Sequence, residues 1–381
     1  MPRNIYDADH EAFRESVKEF VDRTLAPRAE EMIKEHAIPR EIWLEAGRQG
    51  FFGLNIPEEY GGAGIDDYRF NAILGEETGK FTAAVASCFG IHADICAPYI
   101  VSLGTEEQKQ RWLPAVASGE KILAIGMTEP SGGSDLARLK TTAVKDGDEW
   151  VINGSKTFIT NGHQCDLAIV AARTDPEKGA KGISLFVLEA GMEGFSKGNK
   201  LDKVGQPESD TSELFFENVR VPADHLLGPQ DMGFIAMMQH LPQERLGNAV
   251  GNISNAKQIL AETIQYTKDR KAFGMPIGSM QHNKFKIAEL VTMVEVAEAY
   301  LDDCVVAHAE HQLSAVDAAK AKWWASEIQC RVLDECVQLH GGYGFMNEYR
   351  VARAWKDARV HKIWAGSNEI MKELIGRDLG L

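Results

Sequence analysis

Five stretches of this chain place reactive residue types together. The run Ile125-Gly126-Met127-Thr128-Glu129-Pro130-Ser131-Gly132-Gly133-Ser134-Asp135 sets hydroxyls among glycines. Such a loop offers backbone N–H groups and Ser/Thr hydroxyls to an anionic or carbonyl-rich ligand, although an ordinary helix-to-strand loop has the same composition. Lys156-Thr157-Phe158-Ile159-Thr160-Asn161-Gly162 alternates ring and hydroxyl, as any half-buried strand does. Arg270 offers a planar donor fork suited to phosphate. Gly341-Gly342-Tyr343-Gly344 lets backbone approach a pyrophosphate closely, yet helices often end in this way. In Ala365-Gly366-Ser367-Asn368-Glu369, Ser367 reads as a helix N-cap.

A carboxylate can act as a general base near neutral pH where burial raises its pKa. Glu129, Asp135, Glu244 and Glu369 are the carboxylates in question. Glu129, Asp135 and Glu369 read as caps or hydrogen-bond acceptors, and a Glu244-Arg245 pair on a helix is ordinarily a solvated or ion-paired surface. His92 and His340 sit in apolar helical context and read as satisfied core histidines. His308 and His311 have an i, i+3 spacing that suits a metal, but no carboxylate or cysteine pattern accompanies them, so no metal is expected.

The elements that must position these groups fall into three blocks. The chain has 381 residues, 44% of them hydrophobic, enough for two or three domains. Residues 1–121 read as helical: Phe13, Val17, Phe20, Val21 and Leu25 recur at helical spacing, Pro27 ends or bends that helix, Pro98 bends or breaks a later one, and Gly104-Thr105 caps another. Residues 122–228 hold short β-rich runs between turns, with Asp146-Gly147 and Asn153-Gly154 as hairpin signals, predicting a small antiparallel, barrel-like β domain. Residues 229–381 return to helical periodicity over about 231–271, 283–312, 315–340 and 348–361, with a last helix from 367; this predicts an antiparallel four-helix bundle. The fold class is therefore α+β and multidomain.

A net charge of −15 is a poor basis for sequence-independent nucleic-acid binding. The six cysteines lack CxxC spacing and read as small buried hydrophobes in a reducing compartment. No targeting segment and no stretch of roughly 18 uncharged apolar residues is recognised, so a cytoplasmic protein without membrane insertion is expected.

Several of these segments resemble the acyl-CoA dehydrogenases. Thr128-Glu129-Pro130…Gly133-Ser134-Asp135 is similar to that family's Thr-Glu-Pro-x-x-Gly-Ser-Asp segment, and Lys156–Gly162 to its Trp-Ile-Thr/Ser-Asn segment, with Phe158 in place of tryptophan. Arg270-Lys271-Ala272-Phe273-Gly274…Gln281 and Gln338…Gly341-Gly342-x-Gly344 resemble two further elements. The order of three domains also matches. The resemblance implies FAD bound by Met127, Thr128, Gly133, Ser134, Phe158, Ile159 and Thr160, and by Ser367 and Glu369 near the adenosine half. Ser134 and Arg245 would also contact substrate. Arg270, Phe273, Gln281, Gln338, Gly341 and Gly342 would serve the flavin of a neighbouring subunit, in a homotetramer built as a dimer of dimers.

Most family members keep their base in a Tyr-Glu-Gly-Thr tail, where this chain has Ala365; a branch including the long-chain and isovaleryl enzymes keeps it where this chain has Glu244 in Leu241-Pro242-Gln243-Glu244-Arg245. The implied reaction is α,β-dehydrogenation of a medium-to-long, straight or branched acyl-CoA, with Glu244 taking the α-proton. The Ala365 backbone N–H would help to bind the thioester oxygen, and electron-transfer flavoprotein would be the acceptor. The rival readings are an oxygen-reducing acyl-CoA oxidase and a redox-silent relative that binds acyl-CoA or nucleic acid.

Overall fold

The computed structural model describes residues 3–381. Helices α1 (Ala8–Phe20), α2 (Ala29–Glu35), α3 (Arg40–Arg48), α4 (Tyr68–Phe81), α5 (Ala83–Phe89), α6 (Ala97–Leu103) and α7 (Glu106–Ala117) build the first block. Reciprocal capping boxes start α1 at Asp7 and α7 at Thr105. Phe20, Trp43, Phe51, Phe52 and Phe89 fill its core. Pro27 sits in a tight 3-10 turn, Ala26–Arg28, and helical backbone continues on both sides. Nor does Pro98 break its helix. The π-helical turn Gly90–Cys96 joins α5 to α6, and Pro98 follows that turn at the start of α6, where the locally widened helix accommodates it.

Ala83–Leu103 is thus one continuous 21-residue helix, apolar and long enough to cross a membrane by length and composition, although Asp94 interrupts its uncharged run. It is mostly buried among the other helices as a core element, and Asp94 is its one Asp, Glu, Lys or Arg residue.

The middle block is a sheet of β1 (Leu123–Gly126), β2 (Thr142–Asp146), β3 (Glu149–Ile159), β4 (Leu167–Arg173), β5 (Ile183–Glu189), β6 (Phe195–Lys197), β7 (Ser212–Pro222) and β8 (Leu226–Leu227). Its order is β6-β7-β3-β2-β4-β5-β8, with β1 on β4. Most pairs are antiparallel, but β1 and β2 each meet β4 in parallel, so the sheet is mixed. Alternation explains β4: Leu167, Ile169 and Ala171 pack toward the helices, while Ala168, Val170 and Ala172 fill the other face. Asp146-Gly147 does turn the β2–β3 hairpin, with Gly147 at φ 63°. Asn153-Gly154 does not. It lies inside β3 at a register shift against β7, and a Cβ on Gly154 would stand 2.5 Å from Thr141 Oγ1.

The last block holds α8 (Gly233–Asp269), α9 (Gln281–Ala309), α10 (Ala315–His340), α11 (Arg350–Ala358) and α12 (Asn368–Asp378), with a small ribbon of β9 (Lys271–Ala272) and β10 (Met275–Pro276). The 37-residue α8 spans roughly 55 Å. It packs on α10, α9 and α4, tying the last block to the first.

Candidate active site

Where the three blocks meet, a cavity of about 270 Å³ opens against one face of α8. Glu244 projects into it and is nearly fully buried. Burial disfavours its charged form and raises its pKa to about 7; Tyr99, which donates to Oε1 at 3.2 Å, and Arg245 act in the opposite direction, and the nearby Asp94 carboxyl adds a small further rise. A carboxyl held near 7 is suited to accepting a proton from carbon.

Ala365 lines the same cavity. Its φ is 52°, a left-handed conformation that an alanine adopts only where its surroundings hold it. Two contacts do so. Lys322 Nζ donates to the Gly366 carbonyl at 2.6 Å and to Asn368 Oδ1 at 3.1 Å, and Ser367 caps α12 by accepting from the Ile370 N–H. Among the described residues the Ala365 N–H has no acceptor, so it is free to donate into the cavity. Trp364 and His361 form the adjoining wall, their rings stacked with centroids 5.2 Å apart. His361 is fully desolvated and held neutral, its pKa lowered to about 3.

The glycine-hydroxyl loop supplies Met127, Thr128 and Gly133 to the lining, and β3 supplies Phe158, Ile159 and Thr160. A buried ion pair fixes these two segments: Lys156 Nζ meets Glu129 Oε1 at 2.8 Å, and Glu129 also accepts from the Lys140 and Thr141 N–H groups. Burial lowers Lys156 to about 8. Burial also works against the charged form of Glu129, but the lysine and the N–H donors outweigh it and hold that carboxyl near 2. A second register shift in β3 and a φ of 60° turn Phe158 outward, leaving its ring 69% exposed.

These features fit a flavin. An outward aromatic face, the Thr160 hydroxyl and a free N–H at Ala365 all border one cavity, which matches a large ring with polar edges.

The structure does not bring every expected residue to this cavity. Ser134 is exposed on the loop beside it, Ser367 is used as a cap, and Glu369 points to solvent on the first turn of α12. Arg245 is buried next to Gly366 but does not line the cavity, and its Nε has no partner. Arg270, Phe273, Gln281, Gln338, Gly341 and Gly342 lie elsewhere, at the other end of α8. Arg270 is 26 residues beyond Glu244, roughly 39 Å along the helix axis. All six are exposed, Phe273 by 93%, and Arg270 stacks over Tyr343. Their shared location at one end of the bundle is a consequence of the α8–β9 turn and the end of α10, but the distance keeps them from this chain's own cavity.

Other contributors left no local signal in the sequence. Tyr99 and Lys322 bond Glu244 and Gly366 from 145 and 44 residues away. His308 bonds Gln243 Oε1 and His311 pairs with Asp66. His92 is satisfied on both nitrogens by Val116 O and the Leu123 N–H.

Comparison with known proteins places these features in a family. The models for the acyl-CoA dehydrogenase N-terminal, middle and C-terminal domains match residues 7–120, 124–219 and 231–380 in order. The long-chain specific acyl-CoA dehydrogenase of Sus scrofa is 47% identical over 379 residues, covering 99% of this chain and 88% of its own length. The isovaleryl-CoA dehydrogenase of Solanum tuberosum is 36% identical, covering 98% of this chain and 91% of its own. A crystal structure of an acyl-CoA dehydrogenase from Geobacillus kaustophilus superposes with a TM-score of 0.98 at 42% identity, covering 100% of both chains. Three domain models in sequence and similarity over nearly the full length leave one conclusion: this chain belongs to the acyl-CoA dehydrogenase family, the FAD-dependent oxidoreductases of acyl-CoA thioesters.

Proposed function

We propose that this enzyme oxidises the α,β bond of a medium-to-long, straight or branched acyl-CoA with Glu244 as its base. The observation that carries this reading is the pairing of a buried Glu244 carboxyl and the free Ala365 N–H on one cavity. The thioester carbonyl oxygen accepts from the Ala365 N–H, which stabilises the negative charge that develops as the α-proton leaves. Glu244 takes that proton. Its burial excludes water from the carboxyl and keeps its proton affinity high enough for the transfer. When bound, the flavin supplies the two-electron acceptor for hydride from the β-carbon. Because the Ala365 donor is main chain, losing a carboxylate side chain at position 365 costs nothing in that hydrogen bond, and a carboxylate at position 244 argues against a redox-silent relative.

Within this reading, Met127, Thr128, Gly133, Ser134, Phe158, Ile159 and Thr160 hold the flavin, with Ser367 and Glu369 near its adenosine half; Ser134 also meets the substrate, and Arg245 shapes the site. Arg270, Phe273, Gln281, Gln338, Gly341 and Gly342 complete the cofactor site of a second subunit in a homotetramer. Their exposure and the distance along α8 support that reading. An electron-transfer flavoprotein would be the electron acceptor. A reducing, cytoplasmic setting accords with six free cysteines. Anaerobic addition of palmitoyl-CoA tests the reaction: the flavin absorbance bleaches in the wild-type enzyme and stays unchanged in Glu244→Gln. Light scattering in solution tests the assembly.

A further inference from the structure

Asp94 stands on the π-helical turn inside the long apolar helix, is only partly buried, and lines the same cavity as Glu244. Such turns gather at functional sites. Gly247 shows where the Asp94 carboxyl lies, since a Cβ there would stand 2.6 Å from Asp94 Oδ2. Gly247 is three residues beyond Glu244 on α8. Side chains at that spacing share a helix face and start about 5–6 Å apart. The Asp94 carboxyl therefore fills the place of the side chain that Gly247 lacks, one helical turn from the base. Two carboxyls border one cavity at the spacing of a like-charge helical pair.

Neutral donors hold it there. Asn71 Nδ2 at 3.2 Å and Gln243 Nε2 at 3.0 Å donate to Oδ1, and Tyr68 Oη donates to Oδ2 at 3.2 Å. Gln243 also donates to the Asp94 carbonyl at 2.7 Å, and its own Oε1 accepts from His308 Nε2 at 3.0 Å. The residue before the base is thus fixed at both ends, which ties the π-helical turn to α8 beside Glu244. The charged and titratable groups around the two carboxyls are Tyr68 on α4, Cys96 on the same turn, Tyr99 on α6, His240 and Arg245 on α8, and His308 on α9 behind Gln243, with His311 and Asp66 beyond it. Burial lowers His240 and His308 to about 4, so both are neutral, and it keeps the two tyrosines and the thiol protonated. Arg245 is the one cation beside Glu244, and no lysine or arginine bonds Asp94 among the described residues.

We propose that Asp94 is a positioning residue for the reaction: its carboxyl, held against Gly247 by Gln243, Asn71 and Tyr68, repels negative charge on Glu244 and so strengthens that base. The inference rests on the reading of Glu244 as base. A stronger base suits the weakly acidic α-proton of a thioester. Burial raises Asp94 to about 7, the range in which Glu244 also titrates, so the first carboxyl to ionise hinders the second. Asparagine at position 94 separates this role from a structural one. Its amide oxygen still accepts from Gln243 and Asn71, its NH₂ donates to Tyr68 Oη, and only the charge is lost.

The test compares the FAD-replete wild type with Asp94→Asn by the pH profile of kcat/KM for palmitoyl-CoA. The acid limb should move to lower pH by about half a unit, roughly a threefold fall in the proton affinity of Glu244. A limb that stays in place, even with the rate lowered at every pH, or one that moves to higher pH, would overturn the proposal. Infrared titration of the carboxyl bands gives the reciprocal reading without the Asp94 variant. In the wild-type holoenzyme the two carboxyls should lose their protons in separate steps. In Glu244→Gln the Asp94 carboxyl should ionise in one step, about half a unit or more below the second wild-type step. Asp357, a further carboxyl raised to about 7, faces Gln206 instead and should not move. A single unsplit step in the wild type, or an Asp94 step unchanged in the variant, would overturn the coupling. Flavin bleaching at the wild-type rate in Glu244→Gln would instead defeat the base reading, and with it the catalytic role of Asp94, whatever the titration shows.

Discussion

Tyr99 donates its hydroxyl hydrogen to Glu244 Oε1 across 3.2 Å, the one hydrogen bond among the described residues that steadies a carboxyl whose charged form burial disfavours. The ring of Tyr99 is itself fixed by stacking on His240, with centroids 4.1 Å apart. The tyrosine therefore helps to orient the base and partly offsets the rise in its pKa that burial causes.

Because Glu244 must be ionised to accept a proton, kcat/KM should rise with pH through an acid limb near 7, reporting the free enzyme. Tyr99→Phe removes a donor that favours the carboxylate. The acid limb should move to higher pH by roughly one unit, equivalent to about 1.4 kcal/mol. A limb that stays in place or moves to lower pH would show that Tyr99 does not act on the base.

The same carboxyl makes stability depend on pH. Its folded pKa of about 7 lies above the ordinary 4.5, so the folded state holds a proton that the unfolded state releases. Stability present below that window is drawn down as pH rises through it and is fully lost above about 7. Glu244→Gln carries no such liability. Its Tm relative to wild type should be higher at about pH 8 than at about pH 5, read by differential scanning calorimetry with FAD saturating.

Lys322 holds the Gly366 carbonyl and Asn368, and through them the backbone of Ala365. Lys322→Met should leave the fold intact but loosen that loop, lowering kcat by about 100-fold with a smaller change in KM. Equal loss in a variant whose FAD content has also collapsed would point to a cofactor defect instead, so bound flavin is measured alongside.

The buried Lys156–Glu129 pair anchors the glycine-hydroxyl loop to β3. Lys156→Met leaves a buried carboxylate with only backbone donors and should cost about 3 kcal/mol in urea unfolding. A loss below about 1 kcal/mol would mean that the Lys140 and Thr141 N–H groups suffice on their own.

Much of this site was legible because its chemistry is local in sequence. Glu244 before Arg245, Ala365 in the tail and the hydroxyls of Thr128 and Thr160 each stand inside a short run, and all line one cavity. What was not legible depends on distant chain. Nothing in Asn153-Gly154 distinguishes a hairpin from a bulge; Thr141 crowding against Gly154 decides it. Pro98 signals a break, yet a π-helical turn ahead of it absorbs the irregularity and keeps the helix whole. The resemblance assigns Arg270 and Gly341-Gly342 to the flavin of a neighbouring subunit rather than to the one that Thr128 serves. The length of α8 separates them within a single chain. Tyr99 and Lys322 act by reach, and no spacing rule announces a residue that matters through one atom of another.

The most direct test of the central claim is a rapid-mixing, anaerobic measurement of flavin absorbance in Glu244→Gln and wild type, both FAD-replete, with palmitoyl-CoA and with shorter and branched acyl-CoAs. The account predicts bleaching in the wild type and, in the variant, a rate lowered by at least about 1000-fold with acyl-CoA still bound. Bleaching in the variant at more than about a tenth of the wild-type rate would contradict it and require a different base.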